Sequence, residues 1–382
     1  MNKLNFALAT QKQIRLGIVG ANAKSGWAMV SHVPAINGIS GLKLSAVATR
    51  NEQSAREAAK AFGADRWFSD PLAMMRDERI DVITIAVKVP DHRELVLAAL
   101  EAGKAVYCES PLGRTVAEAE EMASAVGPLH TAIGLQGRLN PAVRRAAQLV
   151  SSGKIGRPLN ARIISRTSGF GPEMPSIYDY FNKRSSGANL LTVSAGHTLD
   201  AVEAILGPIL EVDARTEIRW PTVKLTDTGE DSARETADHL GVLGKTDSGA
   251  VFTANIHGGV AHEDARFSFE VRGEDGWLNL SGGHPYGFQC GDLKLTSNVA
   301  FVTPEEAAVS GGFMGAAINV GEVYAYLVRD LHAGAYNAPD FELALHNARL
   351  IEAVKRADEL GERQKVLEQI ENFDEARVTS RS

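Results

Sequence analysis

The stretch IRLGIVGANAKSGWA, residues 14 to 28, decides the fold. IRLGIVG reads as a buried strand that stops in glycine, and Gly26 opens the next helix. Gly20 lies just after the strand, with Asn22 two residues later. A small residue at such a turn lets the backbone approach a pyrophosphate, and the helix N-terminus behind it adds amide donors and the positive end of a dipole. The strict dinucleotide fingerprint reads G-x-G-x-x-G, whereas this loop reads G-x-N-x-x-x-G. Asparagine tolerates left-handed backbone, so Asn22 keeps the turn feasible. A tight glycine turn without a ligand competes with this reading, but a position after the first strand of an alternating unit favours a nucleotide. Gly20, Asn22, Ser25, Gly26 and Trp27 are the expected cofactor-loop residues.

Strand and helix patterns alternate downstream. AVATR (46–50) closes a second strand, and EQSAREAAKAFG (52–63) has helical spacing with a glycine stop. DVITIAV (81–87) is a near-continuous apolar run, as expected for a parallel strand covered on both faces. HRELVLAALEAG (92–103), AVYC (105–108), TVAEAEEMASAVG and TAIGLQ (131–136) continue as helix, strand, helix and strand. This is the doubly wound pattern. From residue 137 the texture changes: PAVRRAAQLVSSGKIG reads as a helix, and LNARIISRTSG as a strand. VDARTEIRW, GAVFTANIHGG, ARFSFEVRGEDGWLNL and CGDLKLTS then alternate β-formers with polar residues. The expected fold class is α/β: a Rossmann-type doubly wound parallel sheet, then an α+β domain with a large open, mainly antiparallel sheet. The expected boundaries are 14–136 for the dinucleotide domain and 137–360 for the second domain, whose last helix covers 341–360. A flexible leader (1–13) and a polar tail (361–382) flank them.

The chain has 382 residues, 44% hydrophobic and 23% charged, which is ample for two cores. A formal charge of −7 argues against a general nucleic-acid surface. Cys108 and Cys290 are too few for a disulfide framework and fit reduced thiols in a cytoplasmic protein. No apolar run reaches membrane-spanning length, and MNKLNFALATQKQIR lacks a signal-peptide core and cleavage site. His257, His262 and Glu263 match no reliable ligand spacing, so no metal is expected. The second strand ends in Thr49 and Arg50 instead of the acidic residue that binds ribose hydroxyls. A cation beside a hydroxyl suits a 2′-phosphate, a lean towards NADP over NAD, unless Arg50 is only a solvated helix-start residue.

AVYCESPLG, residues 105 to 113, ends a strand in Glu109, Ser110 and Pro111, where an α/β enzyme often places its chemistry. This stretch resembles the glucose–fructose oxidoreductase / inositol dehydrogenase (Gfo/Idh/MocA) family, together with GIVGANA, AVKVPDHRELVLAALEAGK, GLQGRLNPAVRRAAQLVSSGKIG and AGHTLDAV. The likeness runs from Ile14 to about Leu360, and the GxNxxxGW loop, LQGR and GHTLD resemble its Gal80-like branch. Enzymes of that family carry Glu-Lys-Pro after the fifth strand, the lysine touching nicotinamide ribose and substrate, whereas this chain has Glu109, Ser110 and Pro111. They also carry an Asp four residues before a catalytic His. Matching His197 onto that histidine puts Val193 at the acidic position. Of the three usual groups only His197 remains. Pro111 matches a proline that follows a cis peptide. The resemblance puts His92 beside the cofactor and Arg138 near the substrate, where it would hold a hydroxyl or support the cofactor, while the residues alone leave His92 as a helix-start residue and Arg138 as a domain bridge.

Hydride abstraction from a carbinol needs a base near the hydroxyl, and an imidazole with an ordinary pKa near 6.5 suits that step. Asp200, three residues after His197, could orient its ring. SIYDYFNKRSSG (176–187) crowds Tyr178, Tyr180, Asn182, Lys183 and Arg184 just before this element. Tyr180 and Lys183 are candidates to close over a polyol, with Lys183 substituting for the absent cation, against a plain surface loop with packed aromatics. The expected function is an NAD(P)-dependent oxidoreductase acting on a sugar, sugar derivative or cyclic polyol. Its expected catalytic set is His197, Ser110, Lys183 and Tyr180, and Thr49, Arg50, His92, Glu109 and Arg138 join the cofactor loop. The alternatives are a Gal80-like non-catalytic dinucleotide-binding regulator and an NAD-dependent glycosidase with transient redox. The expected partners are a small polyhydroxylated ligand and, by the resemblance, a second copy of the chain; no nucleic acid or membrane is expected.

Overall fold

The computed structural model describes residues 12–24, 26–304, 307–309 and 312–366. The chain splits into two compact units, Met1–Asn140 with Glu305–Leu345, and Pro141–Pro304 with His346–Ser382. The second domain expected over 137–360 is therefore interrupted: residues 305–345 count with the first unit.

In the first unit, β1 (Ile14–Val19), β2 (Leu42–Ala48), β3 (Arg66–Phe68), β4 (Val82–Ile85), β5 (Ala105–Cys108) and β6 (Thr131–Ile133) form one sheet. Its order is β3-β2-β1-β4-β5-β6 and every neighbouring pair is parallel. Parallel pairing requires crossovers that cover both faces, so the strands lose alternation and become apolar throughout. Leu16, Ile18, Val47, Ile83, Ile85 and Val106 are accordingly fully buried. The crossovers carry α1 (Val33–Gly38), α2 (Glu52–Phe62), α3 (Pro71–Met75), α4 (His92–Glu101) and α5 (Val116–Ser124). A wide helical turn, Ala28–His32, leads into α1. Asn51 caps α2 by accepting from Ser54 N at 2.9 Å, and Gly63 ends that helix in the left-handed region.

The second unit opens with α6 (Pro141–Ser151) and β7 (Pro158–Arg166). It continues with β8 (Glu173–Met174), α7 (Gly196–Leu206), β9 (Ile209–Glu217), β10 (Thr222–Leu225) and β11 (Asp231–Ala233). Then come β12 (His239–Thr246), β13 (Val251–His257), β14 (Phe267–Gly273), β15 (Trp277–Gly282) and β16 (Leu293–Ser297). β7, β9 and β12–β16, with one more short strand, build an eight-stranded sheet in which only β13 with β7 is parallel. Strict alternation of buried and exposed residues along β12 and β13 shows one covered face. Phe252, Phe269, Val271, Leu278 and Leu280 pack from that face against Val143, Leu199 and Val202 of the helices.

A smaller sheet, β11-β10-β8, is tied in by a buried ion pair. Arg234 (2% exposed side chain) meets Asp238 at 3.0 Å and donates to Asn182 Oδ1 and to the Phe170 and Gly171 carbonyls. Asp238 accepts from the Arg219 and Trp220 amides, so both charges are fully engaged.

Residues 316–333, where no element is expected, form α8 (Ala316–Ala333). Its apolar residues are spread around the helix, and it buries Asn319, Glu322, Tyr324 and Asp330 on partners of their own, so it has no clean amphipathic stripe to read. The last helix, α9 (Phe341–Leu360), has the expected bounds. β17 (Gln364–Lys365) then pairs with β9, so the sheet reaches into the region expected to be a polar tail. Among the described residues no helix is long and apolar enough to cross a membrane.

Candidate functional site

In a sheet of this order the ligand crevice lies beyond the carboxyl ends of the strands where the order reverses, between β1 and β4. Gly20 sits there at φ +96°, and a Cβ on it would run into the Ala86 carbonyl oxygen and Val87 Cγ1. Only glycine fits. Asn22 folds the loop by accepting from Lys24 N at 2.8 Å, an Asx turn at the position of the fingerprint's middle glycine, without the left-handed backbone that asparagine tolerates. Gly26 and Asn22 are exposed, and Trp27 packs against the apolar core with its Nε1 enclosed and without a hydrogen-bond partner. Ser25 lies outside the described residues.

Three other cofactor candidates are already engaged. Thr49 Oγ1 lies 2.6 Å from Ser54 Oγ and donates to Asn51 O, so it organises the start of α2. Arg50 is highly exposed and pairs with Asp91 at 2.8 Å. His92 is 1% exposed, with Nδ1 3.1 Å from Pro111 O and Nε2 3.2 Å from Val87 O. It braces the loop after β5 against the end of β4 and offers no face to a ligand, which corrects its expected direct contact. Burial pushes its pKa down, so the ring is neutral.

Beyond β5, the Ser110–Pro111 peptide is cis and Ser110 is half-buried. Glu109 lies 3.0 Å from His32 Nε2 through Oε1, and a Cβ on the facing Gly134 would come within 2.8 Å of the same oxygen. His32 is fully enclosed; its Nδ1 lies 2.7 Å from the Tyr324 hydroxyl, which lies 2.9 Å from Thr84 Oγ1. The Tyr107 ring packs on both His32 and Tyr324. Sequence reading missed His32 and Tyr324; the one available signal is the polar pair Ser31–His32 inside an otherwise apolar helical turn. Arg138 is half-buried on the short turn Gln136–Leu139 of the same unit.

The second unit holds the remaining candidates. His197 stands in the first turn of α7, behind a wide turn Leu191–Ala195 that Asn189 caps through Leu191 N and Thr192 N. The residue is 4% exposed, its Nδ1 has no hydrogen-bond partner, and burial pushes its pKa down to about 4. Asp200 therefore does not orient the ring through Nδ1. A buried ring nitrogen without a partner is uncommon in a folded protein, and it keeps the imidazole neutral and free of any orienting bond at Nδ1.

Lys183 is a correction of another kind. Its Nζ donates to Ser232 Oγ and to Ala233 O, both at 3.1 Å, so the ammonium is held by β11. The 176–187 loop is built onto the small sheet, through Ser176 with Asp227, Asn182 with Arg234 and Arg184 N with Glu235. The Tyr180 ring packs at a tilt against Phe181, and burial, then Tyr178, pushes its phenol pKa up, which leaves it a neutral donor.

The depressed His197 pKa has a thermodynamic consequence. Unfolding restores a pKa near 6.5, so between about 4 and 6.5 the unfolded state binds more protons. The contribution is fully present above pH 6.5 and lost as pH falls through about 4, about 3 kcal/mol in all. Denaturant unfolding of His197→Leu should show a flatter loss of stability than the wild type between pH 7 and 4. Parallel curves would contradict a buried neutral histidine.

Residues 14–132 match the model of the oxidoreductase family with an NAD-binding Rossmann fold, and residues 141–282 match that of the Gal80p C-terminal domain. The dehydrogenase aclE of Aspergillus oryzae is 31% identical over 227 residues, 57% of this chain and 61% of that protein. The galactose/lactose metabolism regulatory protein GAL80 of Kluyveromyces lactis is 31% identical over 303 residues, 72% of this chain and 65% of that protein. A levoglucosan dehydrogenase of Pseudarthrobacter phenanthrenivorans is 30% identical over 249 residues, 60% and 63%. The chain thus spans less than two thirds of the length of these relatives. The crystal structure of a super-repressor mutant of Gal80p from Saccharomyces cerevisiae shares the fold, with a TM-score of 0.81 at 24% identity over 94% of this chain and 99% of that one. Residues 14–132 thus carry the match to the NAD-binding oxidoreductase family and residues 141–282 the match to the Gal80p C-terminal domain, and the solved Gal80p structure has the same fold across both.

Proposed function

We propose that the protein is an NAD(P)-dependent oxidoreductase that removes hydride from a carbinol of a sugar, sugar derivative or cyclic polyol. The observation that carries this reading is the neutral, enclosed His197 with an unpartnered Nδ1. The turn at Gly20, which a side chain would fill, fits a dinucleotide pyrophosphate, and Asn22, Gly26 and the following helical turn would hold it. When bound, the dinucleotide supplies the hydride acceptor. His197 accepts the hydroxyl proton of the substrate through its neutral imidazole; Ser110 offers a hydroxyl where the family's lysine would stand, and Tyr180 offers a neutral phenol. Lys183 has no part in this reading, because its ammonium is committed to β11. Sugar dehydrogenases among the relatives support the substrate class. Arg50 stays available to a 2′-phosphate only by leaving Asp91, so NAD and NADP both belong to the proposal.

The second reading, a dinucleotide-binding regulator, is favoured by Ser110 and Val193 at the family's lysine and aspartate positions and by the Gal80p C-terminal match. Absorbance at 340 nm, after mixing protein with NAD or NADP and a panel of sugars, inositols and anhydrosugars, separates the two. The oxidoreductase reading expects a signal with one substrate class. Tight dinucleotide binding with a flat trace across the panel would favour the regulator.

A further inference from the structure

The two halves of a doubly wound sheet each hold one mononucleotide, and β1–β3 take the first. β5, which ends in Glu109, belongs to the half left for the nicotinamide. We propose that His32 is a positioning residue that clamps the Glu109 carboxylate at this half of the site. With Ser110 in the lysine position, the clamped carboxylate selects the oxidised, cationic nicotinamide over the reduced one. This rests on the dinucleotide reading above.

The hydrogen-bond partners allow one polarity for a neutral ring. A carboxylate oxygen only accepts, so His32 Nε2 carries the proton and donates to Glu109. Nδ1 then accepts from the Tyr324 hydroxyl, and the Tyr324 oxygen accepts from Thr84. Thr84, Tyr324 and His32 are each 0% exposed, so water does not compete for the two links among them. Gly134 closes the other side of the carboxylate. The titratable groups that interact with Glu109 are His32 from the wide turn, Tyr107 and Cys108 from β5, Tyr324 from α8 and His92 from α4. Burial holds Tyr107, Cys108 and Tyr324 protonated and His92 deprotonated, so these four leave the charge of Glu109 unneutralised. In a Glu-Lys pair the adjacent ammonium would offset that charge; a serine does not. A fixed negative charge attracts the oxidised ring and is indifferent to the neutral reduced ring.

The test uses the full chain and two readouts. Nitrogen-15 NMR of the free protein reports the tautomer of His32, expected as Nε2–H with an unprotonated Nδ1. The dissociation constants of oxidised and reduced dinucleotide are then measured for wild type, Glu109→Gln, His32→Ala and His32→Gln. Removing the charge or its clamp should weaken the oxidised form by about three- to tenfold and change the reduced form by less than about twofold. His32→Gln, whose amide nitrogen reproduces the donor at Nε2, should restore most of the preference. An Nδ1–H tautomer would overturn the positioning role, and a doubly protonated ring would overturn the selection, because an imidazolium would offset the carboxylate. An unchanged ratio of the two constants, or equal loss of both forms in His32→Ala and His32→Gln, would overturn the selection. Wild type that binds neither dinucleotide would instead remove the proposed function, and the selection with it, while the tautomer still decides the clamp.

Discussion

His197→Ala is expected to slow hydride transfer by about 10²–10⁴-fold, the usual contribution of a positioned acid–base group. The loss should fall equally on kcat and kcat/KM, as it does when an interaction made only in the transition state is removed. Dinucleotide affinity should stay within about twofold, because Gly20, Asn22 and the loop around them belong to the other unit. The fold should survive, since the imidazole forms no Nδ1 hydrogen bond whose loss would strand a partner. Single-turnover kinetics with matched circular dichroism check this. A mutant that transfers hydride at the wild-type rate would remove His197 from the chemistry.

Gly20→Val should have the largest effect on the first unit. A β-branched residue at φ +96° is strained, and its Cβ would overlap the Ala86 carbonyl and the Val87 side chain. Strain and overpacking together predict a loss of about 2–5 kcal/mol. The same displacement moves the loop that would hold the pyrophosphate, so affinity for NAD should fall by at least about 100-fold. Thermal unfolding and dinucleotide titration measure the two effects. Retention of both stability and affinity would mean that the turn neither needs glycine nor meets a ligand.

Much of this fold was legible in the sequence because its signals are local. The parallel strands are continuous apolar runs, as in Val82–Ile85, and the second sheet alternates, as in Val251–His257. Helix α8 was not legible, because it buries Asn319, Glu322 and Asp330 among its apolar residues. The return of residues 305–345 to the first unit is likewise a long-range fact with no local signature.

The site divides along the same line. Gly20, Asn22 and Glu109 could be found from strand ends and turn chemistry. His32 could not, since its partner Tyr324 lies 292 positions away. Lys183 looked like a free cation beside aromatics, but the strand that holds it begins almost fifty residues later, at Asp231. Spacing gives residue types in reach of one another along an element, whereas the hydrogen bonds that commit a side chain come from tertiary pairing.

In the proposed function this chain transfers hydride to a bound dinucleotide although Ser110 and Val193 stand where the family has lysine and aspartate. The most direct test is isotope transfer. Protein and oxidised NAD would be incubated with levoglucosan or an inositol deuterated at its carbinol carbons, and the recovered dinucleotide analysed by mass spectrometry. One deuterium should appear in the dinucleotide from at least one substrate, and its rate of appearance should fall by about 10²–10⁴-fold with His197→Ala. Unlabelled dinucleotide from the whole panel, recovered from protein that demonstrably binds it, would contradict the account and leave a dinucleotide-sensing protein in its place.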